Sequence, residues 1–258
     1  KWDMTGEAAS RTSLDLPGNQ QALLERLVAT GKPVVLVMMS GRPNSITWAE
    51  ENVSAILHAW YPGTQGGHAV ADVLFGDYNP SGKLPVTFPV NVGQAPIYYD
   101  MKNTGRPIEL GAPGAKYVSR YLNTPNAPLY RFGYGLSYTD FAYSPVSLSA
   151  PSMGAGGSIT ASATITNTGK RAGAEVAQLY VRDLVGSVTR PVQELKGFEK
   201  VTLQPGESRT VTFTLRPEDL AFTRQDMSHG WEPGEFRLWI APSSGADAST
   251  PVTFTITE

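Results

Sequence analysis

The chain has 258 residues, 41% of them hydrophobic and 17% charged, with a formal net charge of -2 and no cysteine. That length supports one large domain or two medium ones, each able to bury a core. A near-neutral balance without a basic stripe leaves no electrostatic footprint for nucleic acid or an anionic lipid surface, no apolar run is long enough to span a membrane, and the lack of cysteine excludes disulfides, thiolate metal sites and a cysteine nucleophile.

The first residues, KWDMTGEAAS, have neither the charged nor the apolar region of a signal peptide. From Pro17 the pattern is helical: Leu23, Leu24, Leu27 and Val28 fall on one face, Asn19 is a candidate cap and Gly31 a stop. Val34 to Met39 is apolar on both faces, as a central parallel strand covered by helices requires, and Ser54 to Trp60 repeats the type. A helix is expected around His68 to Phe75, stopped by Gly76, and a further strand at Leu84 to Phe88. Strand, helix and strand in that order imply a parallel crossover sheet and an α/β domain.

Between Asn91 and Pro128 the chain is rich in Gly, Pro and Asn and shows no period. A connection of that length is usually functional or disordered, and its Tyr98, Tyr99, Arg106, Tyr117, Arg120 and Tyr121 argue against plain disorder. From Tyr143 onward the character changes to short strands. Ser158 to Thr166 alternates strictly, Glu175 to Val181, Arg209 to Leu215 and Glu235 to Ile240 follow, and Pro205-Gly206 and Pro233-Gly234 mark turns. About seven such strands point to a two-sheet sandwich of the fibronectin type III kind, with a small barrel as the alternative.

Chemistry is sparse on residue types alone. The turn Gly63-Thr64-Gln65-Gly66-Gly67 could cradle a phosphate on backbone N–H groups, but it lacks the Lys-Ser/Thr of a P-loop, and glycines that merely close a tight turn explain it as well. His58, His68 and His229 are far apart, with no carboxylate at metal-ligand spacing. Arg42, in Ser40-Gly41-Arg42-Pro43, follows the C-terminal end of a parallel strand, where open α/β sheets gather ligands; an arginine paired within the fold fits equally. By composition Glu7 is one acidic residue in a polar segment.

Longer motifs carry more. Ala59 to Pro89 (AWYPGTQGGHAVADVLFGDYNPSGKLPVTFP), Pro128 to Thr139 (PLYRFGYGLSYT), the NTGRP and YVSRY segments and VTRPVQELKGFEKVTLQPGES resemble the C-terminal part of the family 3 glycoside hydrolases, the β-glucosidase and β-xylosidase group. Gly6-Glu7-Ala8-Ala9-Ser10-Arg11-Thr12 followed by Ser13-Leu14-Asp15-Leu16-Pro17 matches the family segment that holds the general acid/base, so the resemblance assigns that role to Glu7.

In such enzymes a (β/α) barrel comes first and supplies the aspartate nucleophile, an α/β sandwich domain follows with the acid/base glutamate, and a fibronectin-like domain closes the chain. The resemblance therefore implies that residues 1–138 are the second half of the α/β sandwich domain, including the 91–128 connection, and that 139–258 are a fibronectin type III-like domain. It implies a retaining, exo-acting β-glucosidase acting on β-linked glucosides or oligosaccharides, periplasmic or secreted, without a cofactor, complete only with the N-terminal barrel part of the same precursor. A β-xylosidase of the same family and a non-catalytic carbohydrate-binding or scaffolding module are the alternatives. Tyr117, Arg120 and Tyr121 are expected at the rim of the cleft, on the leaving-group side, from this protomer or from the mate in a homodimer; a covering loop that seals the domain junction is the alternative.

Overall fold

The computed structural model describes residues 8–106, 116–245 and 250–258. The chain forms two compact units, one of residues 1–78, 86–97 and 120–130, the other of 79–85, 98–119 and 131–258.

In the first unit, helix α1 (Gln20–Val28) leads to strand β1 (Val35–Met38), short helix α2 (Thr47–Asn52), strand β2 (Ala55–His58) and helix α3 (Gly66–Phe75). β1 and β2 pair in parallel, Val35 with Ala55 through Met38 with His58. The crossover between them is α2, whose Trp48 and Ala49 join Leu24, Met38 and Ile46 in the core. α1 starts after Asn19 as expected, although the Asn19 side chain makes no capping bond, and α3 ends at Gly76 as expected.

The segment Leu84 to Phe88 is not a further parallel strand. Phe88 instead makes an isolated antiparallel bridge with Tyr130. Pro85 and Pro89 remove the N–H donors on either side, so no regular ladder can extend along this segment.

The second unit is built on two sheets. Its strands are β3 (Phe141–Tyr143), β4 (Ser147–Leu148), β5 (Ser152–Met153), β6 (Ile159–Asn167), β7 (Gly173–Asp183), β8 (Glu194–Leu203), β9 (Ser208–Leu215), β10 (Phe222–Thr223), β11 (His229–Gly230), β12 (Gly234–Ala241) and β13 (Val252–Ile256). One sheet runs β5-β13-β12-β7-β8; in the other, β6 pairs with β3, β4 and β9. The alternation of β6 sends Ile159, Ala161, Ala163 and Ile165 into the core, where they meet Leu179 and Val181 of β7 and Leu238 and Ile240 of β12. The Pro205-Gly206 turn carries the chain from β8 in one sheet to β9 in the other, closed by the Gly206 amide on the Asn167 carbonyl and the Glu207 amide on that of Gln204.

The segment 79–85 is part of this second unit. Asn79 accepts hydrogen bonds through Oδ1 from Ser137 Oγ at 2.9 Å and the Tyr138 amide at 2.8 Å, and donates through Nδ2 to the Ala172 carbonyl at 2.9 Å. Lys83 Nζ lies 2.9 Å from Glu175 Oε1, with the Glu175 side chain buried and that of Lys83 largely covered, and the Tyr143 hydroxyl donates to the same oxygen at 3.0 Å. Burial and the Glu175 charge push the Tyr143 phenol well above its ordinary range, which keeps it a donor.

Candidate active-site segment and an open apolar face

Glu7 lies outside the described residues. The segment that follows it is bound to the loop at the C-terminal end of β1. The Leu14 carbonyl accepts from Asn44 Nδ2 at 2.9 Å and from the Ser45 amide at 2.9 Å, and Arg42 Nη1 donates to the Arg11 carbonyl at 3.4 Å. Arg42 thus serves to hold chain. Asp15 is engaged locally, accepting from Ser13 Oγ at 2.8 Å.

The Gly41-Arg42 turn packs against Tyr61, which follows β2. A Cβ at Gly41 would come within 2.6 Å of the Tyr61 ring, so only glycine lets the ring lie across the turn. Trp60, just before it, takes a left-handed backbone conformation at φ 51°, uncommon for a bulky residue. Its indole packs 4.2 Å from the His58 ring, which in turn lies 5.3 Å from Phe88. Burial lowers the His58 pKa, partly opposed by the Arg42 backbone, and His58 is a neutral member of this aromatic cluster.

Beside this turn runs a groove of about 550 Å³ between α1, β1 and residues 11–17, lined in part by Leu23, Leu27, Val35, Val37, Met39 and Tyr61. Of the α1 face expected to be buried, Leu24 is, but Leu23 is 58% and Leu27 46% exposed; Val35 is 46% and Met39 68% exposed. Among the described residues β1 pairs only with β2, so one edge of β1 carries open backbone groups beside apolar side chains. Among the described residues, β1 and the Leu23 and Leu27 face of α1 thus present apolar side chains to an open groove. The sequence pattern does not reveal this exposure, because apolar periodicity shows which residues share a face and not what lies against that face.

The three aromatic and basic rim candidates fall in different units. Arg120 and Tyr121 belong to the first, with the Tyr121 amide donating to Asn126 Oδ1 at 3.0 Å. Tyr117 belongs to the second, is exposed, and adopts φ 61°. The Arg106 guanidinium stands 6.0 Å from the Tyr117 ring centroid, and the Ser119 amide donates to the Arg106 carbonyl at 2.9 Å. Among the described residues no helix is long and apolar enough to cross a membrane.

Comparison with known proteins places this geometry. The glycosyl hydrolase family 3 C-terminal domain matches residues 1–138, and a fibronectin type III-like domain matches 175–244. The chain is 54% identical to a periplasmic β-glucosidase of Salmonella typhimurium over 241 residues, covering 93% of this chain and 31% of that protein. It is 45% identical to a β-xylosidase of Formosa agariphila over 251 residues, covering 97% of this chain and 34% of that protein. Among solved structures, a β-glucosidase from Listeria innocua in complex with glucose superposes with a TM-score of 0.93 at 41% identity, over 98% of this chain and 35% of that one; the same enzyme has also been solved with laminaribiose. The chain therefore spans about a third of the length of the curated relatives it matches. By its matched domains and its identity over nearly its whole length, it belongs to glycoside hydrolase family 3, as a C-terminal part.

Proposed function

We propose that the chain is the C-terminal portion of a retaining, exo-acting β-glucosidase, in which Glu7 is the general acid/base and a barrel N-terminal to it supplies the nucleophile. The observation that carries this reading is the 54% identity to a β-glucosidase across 93% of the chain, confined to 31% of that enzyme's length. The fixed segment after Glu7 supports it. Three residues separate Glu7 from Arg11, so the four Cα-to-Cα steps between them reach at most ~14 Å, and Arg11 is held at the end of β1.

A retaining glycosidase needs two carboxyl groups about 5 to 5.5 Å apart, one to attack the anomeric carbon and one to protonate the leaving oxygen. Glu7 must start protonated, which takes burial or a neighbouring negative charge to raise its pKa above the usual ~4.3. The ionised nucleophile would supply that charge. Once the nucleophile is consumed in the glycosyl-enzyme, Glu7 loses its reason to stay protonated and becomes the base that activates water.

The bare groove along α1 and β1 is the natural seat of the preceding part of the same α/β domain, attached to the barrel. The enzyme acts on β-linked glucosides, and a periplasmic or secreted location agrees with the name of the Salmonella relative. The β-xylosidase reading stays as a second one, on the 45% identity to the Formosa enzyme.

Tyr117, Arg120 and Tyr121 contact the leaving-group side of the substrate, from this protomer or a dimer mate. Alanine at Arg120 or Tyr121 in the full-length enzyme is expected to change the relative kcat/KM among disaccharides several-fold while shifting thermal melting little. A large drop in melting temperature with unchanged preference would make these residues structural.

A further inference from the structure

Part of the five-stranded sheet of the second unit, in its adjacent strands β7 and β12, is buried on both faces, which a two-layer sandwich does not require. In β7 the core side holds Ala177, Leu179 and Val181, so alternation puts Gln178 and Tyr180 on the opposite face, where an antiparallel sheet ordinarily meets water. Yet Tyr180 is 0% and Gln178 3% exposed. β12 repeats this: Phe236, Leu238 and Ile240 face the core, while Trp239 and Ala241 on the other side are buried as well. The four-stranded sheet behaves differently, its outer face carrying Thr164 against Thr210 and Thr166 against Ser208 as hydroxyl pairs open to solvent.

The cover on the five-stranded sheet comes from the FGYG motif and from the root of the long connection. Tyr99 stacks on Phe132 at 4.2 Å, meets Tyr180 edge-on at 6.1 Å, and its hydroxyl accepts from the Leu195 amide at 3.4 Å. Gln193, itself buried, donates through Nε2 to the carbonyls of Tyr99 and Ser244, each at 3.1 Å. The Val192 amide donates to the Met101 carbonyl at 2.9 Å, and Lys102 bridges Pro191. Gly133 reaches this face because it has no side chain: at φ 78° a Cβ there would overlap the Gln178 amide, which donates to the Gly133 carbonyl.

From that root the connection runs on to Tyr117. Thr104 Oγ1 donates to Ser119 Oγ at 2.7 Å, and Arg106 binds the Tyr117 carbonyl and covers its ring. A continuous series of contacts thus joins the outer face of the sheet to Tyr117.

We propose that the outer face of this sheet is the anchor for the substrate-facing part of the connection, with Tyr99 and Gln193 as positioning residues that set specificity on the leaving-group side. This rests on the reading of Tyr117 as a rim residue. The fibronectin-like domain then takes part in substrate selection without touching the sugar, because the position of the rim is fixed by stacking and hydrogen bonds on its sheet. A loop displaced by about 1 Å loses contacts that only a substrate with an extended leaving group can make.

The test compares kcat/KM for a β-linked glucose disaccharide and for an aryl β-glucoside in full-length enzyme, together with amide hydrogen exchange over 100–106 and 116–119. Tyr99→Ala is expected to lower the disaccharide-to-aryl ratio by about 10- to 100-fold, mainly through KM, and to speed exchange in both stretches. Tyr99→Phe, which keeps the ring, should stay near the parent. Gln193→Met removes two hydrogen bonds at similar volume; it should move ratio and exchange the same way by a smaller factor, and it carries the test should Tyr99→Ala fail to fold. An equal loss for both substrates, or faster exchange with an unchanged ratio, overturns the anchoring role. Tyr117→Ala, run in parallel, separates the two readings. If it shifts the ratio and the Tyr99 and Gln193 variants do not, the rim reading stands and the anchor falls; if it leaves the ratio unchanged, the rim reading fails and the anchor proposal with it.

Discussion

Replacing Glu7 with Gln or Ala in the full-length enzyme is expected to slow hydrolysis of substrates with poor leaving groups by about 10² to 10⁴, the usual worth of a positioned proton donor. An acidic leaving group departs without a proton, so an activated aryl β-glucoside should lose far less in the first step. In the alanine variant the second step then limits the rate, because no base activates water. Azide, which needs no base, should restore turnover and yield a glycosyl azide of retained configuration. Equal damage to all leaving groups, without azide rescue, would falsify the assignment of Glu7.

The second large effect is on stability. Lys83→Ala should destabilise the second unit by about 3 to 5 kcal/mol, because it leaves the Glu175 carboxylate buried at 6% side-chain exposure with no cation beside it. The Tyr143 hydroxyl remains as a donor but carries no charge. Removing both charges, as in Lys83→Met with Glu175→Gln, should cost much less than the single change, since the larger penalty comes from the unpaired ion and not from the loss of attraction. Urea unfolding followed by tryptophan fluorescence measures both. A single-variant loss below about 1 kcal/mol would mean that water reaches Glu175.

The elements legible in the sequence are those in which a single physical period dominates. Ser158 to Thr166 alternates without exception because one face of β6 is core and the other solvent, and its burial follows residue by residue. α1 and α3 were legible for the same reason, together with the glycines after them. β8 escaped because it is an edge strand of the five-stranded sheet, where Lys196, Glu199 and Lys200 guard an open edge at the expense of the apolar pattern. α2 escaped because six residues are too few to display a helical period. The double cover over β7 and β12 is hidden for a different reason: Tyr180 and Trp239 read as ordinary amphipathic strand residues until Tyr99 and Phe132 are brought against them. The role proposed for Glu7 does not come from its own chemistry. It came from the order of the residues around it, and the bare face of α1 and β1 came from neither pattern nor resemblance but from exposure.

The central claim is that this chain holds one half of a catalytic pair and depends on an N-terminal part for the other. Its most direct test is to purify residues 1–258 free of any other chain, assay them on an aryl β-glucoside, and repeat the assay after refolding or co-expression with the N-terminal part encoded upstream. The account predicts no turnover above background for the chain alone and ordinary glucosidase rates for the combination, abolished when the barrel's nucleophile is replaced. Ordinary rates from residues 1–258 alone would contradict it, since a complete active site would then have to lie within this sequence.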